Sequence, residues 1–99
     1  MKQHISAEQL AELPEEKLIK ILTKEWGKAT AVKHAKEEIC KRYFTIGKMI
    51  EILESKEEFL EIVRLEEGNM PYIVHLKSGY IFYAYNICDA LWQALLATL

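Results

Sequence analysis

The residues best suited to chemistry are the histidines and the carboxylates that lie near them in the sequence. His34 and Glu38 are four positions apart, a spacing that places two side chains on one face of a helix, where both can bind one metal ion. Two ligands do not make a metal site, and neither His4 nor His75 has a spacing that adds a third. The pattern therefore favours an exposed helical pair, and we expect no metal site.

His75 is the best candidate for a general acid or base, because imidazole titrates near neutral pH and Tyr80 and Tyr83 lie close in the sequence. A polar residue that pairs across two strands explains the same position without catalysis and is the favoured interpretation. The sequence contains no glycine-rich phosphate loop, paired-cysteine zinc motif or nucleophile elbow. We therefore expect a protein that is not an enzyme, with no catalytic residues and no cofactor.

A group of carboxylates follows the middle of the chain. Such side chains bind calcium when loop spacing and a glycine bring their oxygens around one ion, and both features are missing here. A solvated acidic surface is the better interpretation. The residues are Glu57, Glu58, Glu61, Glu66 and Glu67.

The basic residues are concentrated in the first half of the chain. Residues 17–48 contain nine basic and three acidic residues, whereas residues 51–99 contain three basic and eight acidic residues. A predicted helix over 29–43 is the stretch most suited to an anionic partner such as a nucleic acid. A solvated lysine-rich helix is nevertheless favoured. The candidate contacts are Lys33, Lys36, Lys41 and Arg42.

The order of three helices followed by a hairpin is that of a winged helix. The helix in the recognition position, 46–54, is expected to be capped by Thr45. This helix contains one cation, Lys48, and two carboxylates, Glu51 and Glu54. Binding to phosphates and base edges needs cationic and amide side chains. Nucleic-acid binding is therefore the alternative function and not the favoured one.

Capping residues and helix-breaking residues predict the earlier helices. Ser6 and Gln9 have the capping-box spacing, which predicts a short helix over 7–12. Pro14 is well placed as the first residue of a second helix, and Gly27 is the expected stop. The N-terminal part of the chain is therefore predicted to be helical.

The segment after residue 54 has two interpretations. Ser55 and Glu58 repeat the capping-box spacing, which predicts a further helical turn from Lys56. Residues 59–67 fit either a helix or a strand. The β-branched residues before the turn at 68–69 favour a strand over 62–66.

The clearest strands are Tyr72–Lys77 and Tyr80–Tyr85, which are rich in β-branched and aromatic residues. If Ser78 and Gly79 form the whole turn, alternation divides the side chains between two faces. The face expected in the core contains Tyr72, Val74, Leu76, Ile81, Tyr83 and Tyr85. The other face contains Ile73, His75, Lys77, Tyr80, Phe82 and Ala84. Because this second face mixes polar and large apolar groups, we expect a partner to cover it at Ile73, His75, Tyr80 and Phe82.

The last helix follows the hairpin directly. Asn86 is a good cap, and Asp89 supplies a carboxylate to the first turn. The apolar residues that follow, including Trp92, cover about half of the helix circumference, wider than the roughly 100° stripe of a surface helix. The helix is therefore expected to be central or to lie at an interface.

The length and the cysteines limit the class of protein. Ninety-nine residues are expected to form one domain, 1–99, with a single core. Cys40 and Cys88 have no pairing pattern and no apolar export segment precedes them, which favours free thiols in the cytoplasm. The longest uncharged apolar run near the C-terminus, 90–99, spans about half of a bilayer core as a helix, so no membrane segment is expected.

Three segments carry a resemblance to known proteins. They are ISAEQLAELPEEKLIKIL, FTIGKMIEILESK and ICDALWQALLATL. They resemble small uncharacterised proteins encoded by phages and prophages of Gram-positive bacteria, in which similar Thr-Ile-Gly-x-Met-Ile-Glu and Leu-Cys-Asp-Ala-Leu-Trp segments open helices. The matching positions are 45–51 and 87–92, with Ile87 in place of leucine. The resemblance implies an accessory protein in the bacterial host cytoplasm and carries over no catalytic residues.

These patterns predict an α+β fold in which N-terminal helices pack with a small antiparallel meander of two or three strands and an apolar C-terminal helix. We expect a non-enzymatic accessory protein that acts as a protein interaction module. The apolar excess in residues 71–99 favours a protein partner or a second copy of the chain. The alternative is a nucleic-acid-binding regulator that uses the basic helix over 29–43.

Overall fold

The computed structural model describes residues 2–27, 29–66 and 68–99 and confirms the α+β fold. Helices α1 to α4 precede an antiparallel sheet whose strands lie in the order β1-β2-β3, and α5 follows the sheet. The elements are α1 (Ala7–Leu10), α2 (Glu15–Trp26), a 3-10 helix (Ala29–Lys33), α3 (Lys36–Tyr43), α4 (Ile46–Ser55), β1 (Phe59–Arg64), β2 (Tyr72–Leu76), β3 (Ile81–Ala84) and α5 (Ile87–Ala97).

Most helix ends lie where the capping residues predict them. The Ser6 hydroxyl accepts the Gln9 N–H at 3.2 Å, and Gln9 Oε1 accepts the Ser6 N–H at 2.9 Å, which completes the capping box of α1. Thr45 and Asn86 each accept the N–H three residues further on, at 3.2 and 2.8 Å. Gly27 ends α2 with a φ of 62°, a conformation that glycine adopts without steric cost.

The predicted continuous helix over 29–43 is wrong. The chain forms the 3-10 helix first and begins α3 only at Lys36, with Ala35 in an extended conformation between them. Thr30 and Val32 are β-branched and form helices weakly. Ala31 is buried in the core, so tertiary packing accounts for the tight turn at this point.

The predicted helical turn at Lys56 is also wrong. Ser55 ends α4, and its hydroxyl donates a hydrogen bond to the Ile52 carbonyl at 2.8 Å and does not act as a cap. Glu57 adopts a left-handed φ of 58°, which turns the chain into the sheet. The ambiguous segment is a strand, and β1 begins at Phe59, earlier than the predicted strand over 62–66.

The hairpin between β2 and β3 differs from the prediction by one residue. The Gly79 N–H donates to the Leu76 carbonyl at 3.0 Å, and the Leu76 N–H donates to the Tyr80 carbonyl at 2.9 Å. The loop therefore has three residues, 77–79, and Gly79 has a φ of 100°, as in a type I turn with a glycine bulge. Because side chains alternate along a strand, this shift reverses the predicted faces of β3.

The core lies between α5 and one face of the sheet, here called the inner face. Buried side chains from every helix and from β2 and β3 form one cluster. Trp92 is 2% exposed and meets the ring of Phe44 edge to face at 5.6 Å between centroids. Of the two positions expected for α5, central or at an interface, the structure shows the central one, since six of its residues are buried.

Candidate interaction surface

The face of the sheet directed away from α5, here called the outer face, is the candidate interaction surface. The register of the three strands places side chains of alternate residues in rows across this face. Two rows cross all three strands: Val63 of β1, Ile73 of β2 and Tyr83 of β3 form the first, and Glu61, His75 and Ile81 form the second. The first row is apolar, and the second ends with an apolar residue on β3.

Large apolar side chains are exposed in one part of the molecule. Among the described residues, all of those with large exposed fractions lie between positions 60 and 85, in the sheet and its loops. They are Leu60 (54%), Leu65 (43%), Met70 (56%), Tyr80 (63%), Ile81 (46%), Tyr83 (50%) and Tyr85 (77%). Four of the seven belong to β3 or its ends.

The four predicted partner contacts separate into two groups. Ile73 and His75 lie on the outer face as expected, although Ile73 is only 8% exposed between its neighbours in the row. His75 Nδ1 lies 3.2 Å from Glu61 Oε1 across the strands. Phe82 packs against the core on the inner face, and Tyr80 lies beside it, 63% exposed, with the ring centroids 6.3 Å apart. The assignment of Phe82 to the open face is therefore wrong.

Three exposed residues were missed by the sequence reasoning. Ile81, Tyr83 and Tyr85 are assigned to the core face by a two-residue turn, yet the structure exposes all three. The signal lies in the loop, because a glycine at its third position, Gly79, is typical of a three-residue hairpin loop. Ala84 is a second signal, since a small residue suits the position beneath a packed helix, where it is 3% exposed.

The four predicted anionic-partner contacts do not share one helix. Lys33 ends the 3-10 helix, whereas Lys36 begins α3 and Lys41 and Arg42 lie in its last turn. Arg42 Nε donates to Glu38 Oε1 at 2.7 Å, and this bond holds the pKa of the Glu38 carboxyl below its usual value. One of the four cations is thus already engaged by an acidic residue of its own helix.

A different group of lysines surrounds a cavity of about 240 Å³ beside the end of α5. Lys56 Nζ lies 3.5 Å from the Thr98 carbonyl oxygen, and Lys17, Lys20 and Lys24 of α2 line the same cavity. The carbonyl end of a helix carries a partial negative charge, which cations stabilise. The helix end therefore accounts for the position of Lys56 without a bound anion.

The predicted helical pair of His34 and Glu38 is wrong, because His34 lies between the 3-10 helix and α3. In the parts of the chain that the structure describes, no three His, Cys, Asp or Glu side chains are grouped so that they could hold a metal ion. Of the five clustered carboxylates, Glu67 lies outside the described residues, and Glu57, Glu61 and Glu66 are exposed.

Both cysteines are buried free thiols. Burial raises the pKa of Cys88 to about 11 and also raises the pKa of Cys40. Because the thiolate is the nucleophile, thiols with raised pKa values react slowly at neutral pH. Their burial therefore favours a structural role in the core.

The arrangement defines a helical domain with a three-stranded meander, one face of which is covered by α5. Comparison of the chain with protein-family models, with curated proteins and with solved structures finds no match. Within the described ranges, every helix is too short or too polar to cross a membrane.

Proposed function

We propose that this protein is a non-enzymatic interaction module that binds a protein partner through the outer face and the β3 side of its sheet. The exposure of Ile81, Tyr83 and Tyr85, at 46%, 50% and 77%, is the observation that carries the proposal. With roughly 200 Å² for a tyrosine side chain, the two tyrosines alone present about 250 Å². Contiguous apolar patches of several hundred Å² mark binding sites on monomeric proteins.

The residue types in this surface support a protein partner. No charged residue occurs between Lys77 and Asp89, and three tyrosines lie in that interval. Interface cores are depleted in charged residues and enriched in tyrosine, which combines a large apolar ring with a hydrogen-bonding hydroxyl. The resemblance to phage and prophage proteins supports an accessory role in a bacterial cytoplasm.

The experiment compares partner capture by the wild-type chain with capture by two charge variants. Tyr83→Lys places a cation in the outer face, and Lys41→Glu changes a charge on the exposed side of α3. We expect Tyr83→Lys to abolish capture of bound proteins, including a differently tagged second copy, and Lys41→Glu to leave capture unchanged. Equal melting temperatures check that both variants are folded. Capture that survives Tyr83→Lys and disappears with Lys41→Glu contradicts the proposal and supports the basic helix as the binding site.

A further inference from the structure

We propose that the partner of this surface is a second copy of the chain, and that the two copies pair through their β3 strands into one six-stranded antiparallel sheet. The inference rests on the proposed function and identifies the partner. Strand order places β3 at an edge of the sheet in the described part of the chain. An edge strand presents unpaired N–H and C=O groups that another strand can bind.

The two edges of the sheet are protected to different degrees. The β1 edge contains an irregularity between Phe59 and Glu61, and it carries the charged side chains of Glu61 and Arg64. Bulges and charged side chains are the features that prevent strands from pairing edge to edge. The β3 edge has neither feature, since no irregularity interrupts its pairing with β2 and no charged residue occurs within it. Of the two edges of the described sheet, β3 is therefore the one that can pair with a second strand.

The hydrogen-bond pattern shows which residues of β3 face the open edge. The Leu76 N–H donates to the Tyr80 carbonyl, so these two residues form a hydrogen-bonded pair of the antiparallel ladder. Hydrogen-bonded and non-hydrogen-bonded pairs alternate along an antiparallel ladder. The backbone groups of Phe82 and Ala84 therefore point toward β2, and those of Ile81 and Tyr83 point outward. Each copy thus offers two N–H and two C=O groups to its partner.

Two-fold symmetry then fixes a register. The outward groups of both copies meet when Ile81 lies opposite Tyr83 of the second copy, with the symmetry axis at Phe82. In this register Ile81 of each copy also contacts Tyr83 of the other on the outer face. Such pairs of a β-branched and an aromatic side chain are favourable across strands. Because the strands carry no charge, the arrangement brings no like charges together.

The exposed area sets the expected strength of the dimer. Exposed fractions of 63%, 46%, 50% and 77% at Tyr80, Ile81, Tyr83 and Tyr85 set an upper limit of roughly 450 Å² that one copy can bury. A standard stable interface buries about 800 Å² per partner, and weaker, transient interfaces are smaller. We therefore expect a dimer that dissociates on dilution through the micromolar range.

The first test is sedimentation velocity on the full chain over about 5 to 500 µM, the range in which a small interface dissociates. Ile81→Lys is compared with Leu60→Lys, which places the same charge at a similarly exposed residue on the β1 edge (46% and 54%). We expect the wild type and Leu60→Lys to dimerise as concentration rises and Ile81→Lys to require at least tenfold more protein. A wild type that is monomeric throughout, or equal weakening by both variants, overturns the proposal.

The second test is disulfide crosslinking, which reports the register. Ile81→Cys and Tyr83→Cys are prepared separately, and both positions are exposed, so neither variant removes a core side chain. The register predicts a disulfide-linked dimer when the two variants are mixed under oxidising conditions and little from either variant alone. A hydrogen-bonded antiparallel pair has a Cα separation of about 5.5 Å, which suits a disulfide. Strong crosslinking of either variant with itself overturns the register.

The outcomes separate this inference from the proposed function. If the chain is monomeric but Tyr83→Lys abolishes capture of another protein, the second copy is the wrong partner and the interaction surface is correct. If the chain is monomeric and Tyr83→Lys changes no capture, both proposals are wrong.

Discussion

The carboxylate of Asp89 joins two distant parts of the chain. Its Oδ1 accepts hydrogen bonds from Lys2 Nζ at 2.7 Å and Gln9 Nε2 at 2.8 Å, and its Oδ2 accepts one from Asn86 Nδ2 at 2.9 Å. These bonds connect the N-terminal segment and α1 to the first turn of α5. Replacing Asp89 with Asn conserves size and removes the negative charge from this connection.

The expected cost follows from the geometry. Hydrogen bonds to charged groups contribute about 1.5–3 kcal/mol each when they are shielded from solvent. The side chains of Lys2 and Asp89 are 31% and 30% exposed, and solvent weakens exposed ion pairs. Asparagine also keeps one carbonyl oxygen as an acceptor. We therefore expect Asp89→Asn to lower the free energy of unfolding by about 1–2 kcal/mol at neutral pH.

The cost also depends on pH. Burial alone raises the pKa of Asp89, but the hydrogen bonds from Lys2, Gln9 and Asn86 outweigh it and hold the pKa below its usual value. A lowered pKa in the folded state means that the carboxylate stabilises the fold above its unfolded pKa. This stabilisation is lost as pH falls through the folded pKa, so the difference between the wild type and Asp89→Asn shrinks from about pH 5 downward.

Urea unfolding followed by circular dichroism measures this difference at about pH 7 and about pH 3. Glu12→Gln, at an exposed site after α1, is the control for the loss of a single carboxylate. Lys2→Met should reproduce part of the loss, and the double variant should lose less than the sum because the two residues share one contact. Equal stability of Asp89→Asn and wild type at neutral pH would refute the reasoning, as would a loss that is independent of pH.

Three further predictions concern the core and the helices. Trp92 Nε1 is buried and has no acceptor among the described residues, so Trp92→Phe should change stability by about 1 kcal/mol or less, because removing the unpaired donor offsets the lost packing. A loss above about 2 kcal/mol in urea unfolding contradicts this. Gly47 lies in α4 with no atom within 4 Å of an added Cβ, so Gly47→Ala should raise the melting temperature by a few degrees. A lower melting temperature contradicts the placement of Gly47 in a helix with open space beside it. Cys40 and Cys88 are buried with raised pKa values, so iodoacetamide should modify them only as fast as the chain unfolds. Mass spectrometry that shows rapid labelling of the native protein would argue against their burial.

The helix caps were predictable from the sequence because each depends on a local interaction. Ser6, Thr45 and Asn86 each bind an N–H three residues further on, so the residue type and the spacing contain the information. The spacing is not sufficient, since Ser55 has the same pattern and binds a carbonyl within α4 instead. The break between the 3-10 helix and α3 was missed because packing of the core determines it.

The interaction surface was only partly predictable. Ile73 and His75 of β2 were assigned to the correct face, whereas the neighbouring strand was assigned in reverse. Every residue of β3 is apolar or aromatic, so the sequence contains no alternation from which its phase can be inferred. The length of the loop determines the phase, and the loop is one residue longer than predicted because Lys77 belongs to it and not to β2.

The same lack of alternation has a structural meaning. A strand with one solvated face normally alternates apolar and polar residues. β1 contains two charged residues, Glu61 and Arg64, among its apolar ones, whereas β3 contains none. In β3, α5 covers the inner face over Phe82 and Ala84, which explains one half of the apolar residues. Ile81 and Tyr83 gain nothing from that core, and leaving them exposed favours aggregation. A partner that covers these residues removes the exposure, and a second β3 strand covers their side chains and their outward backbone groups together.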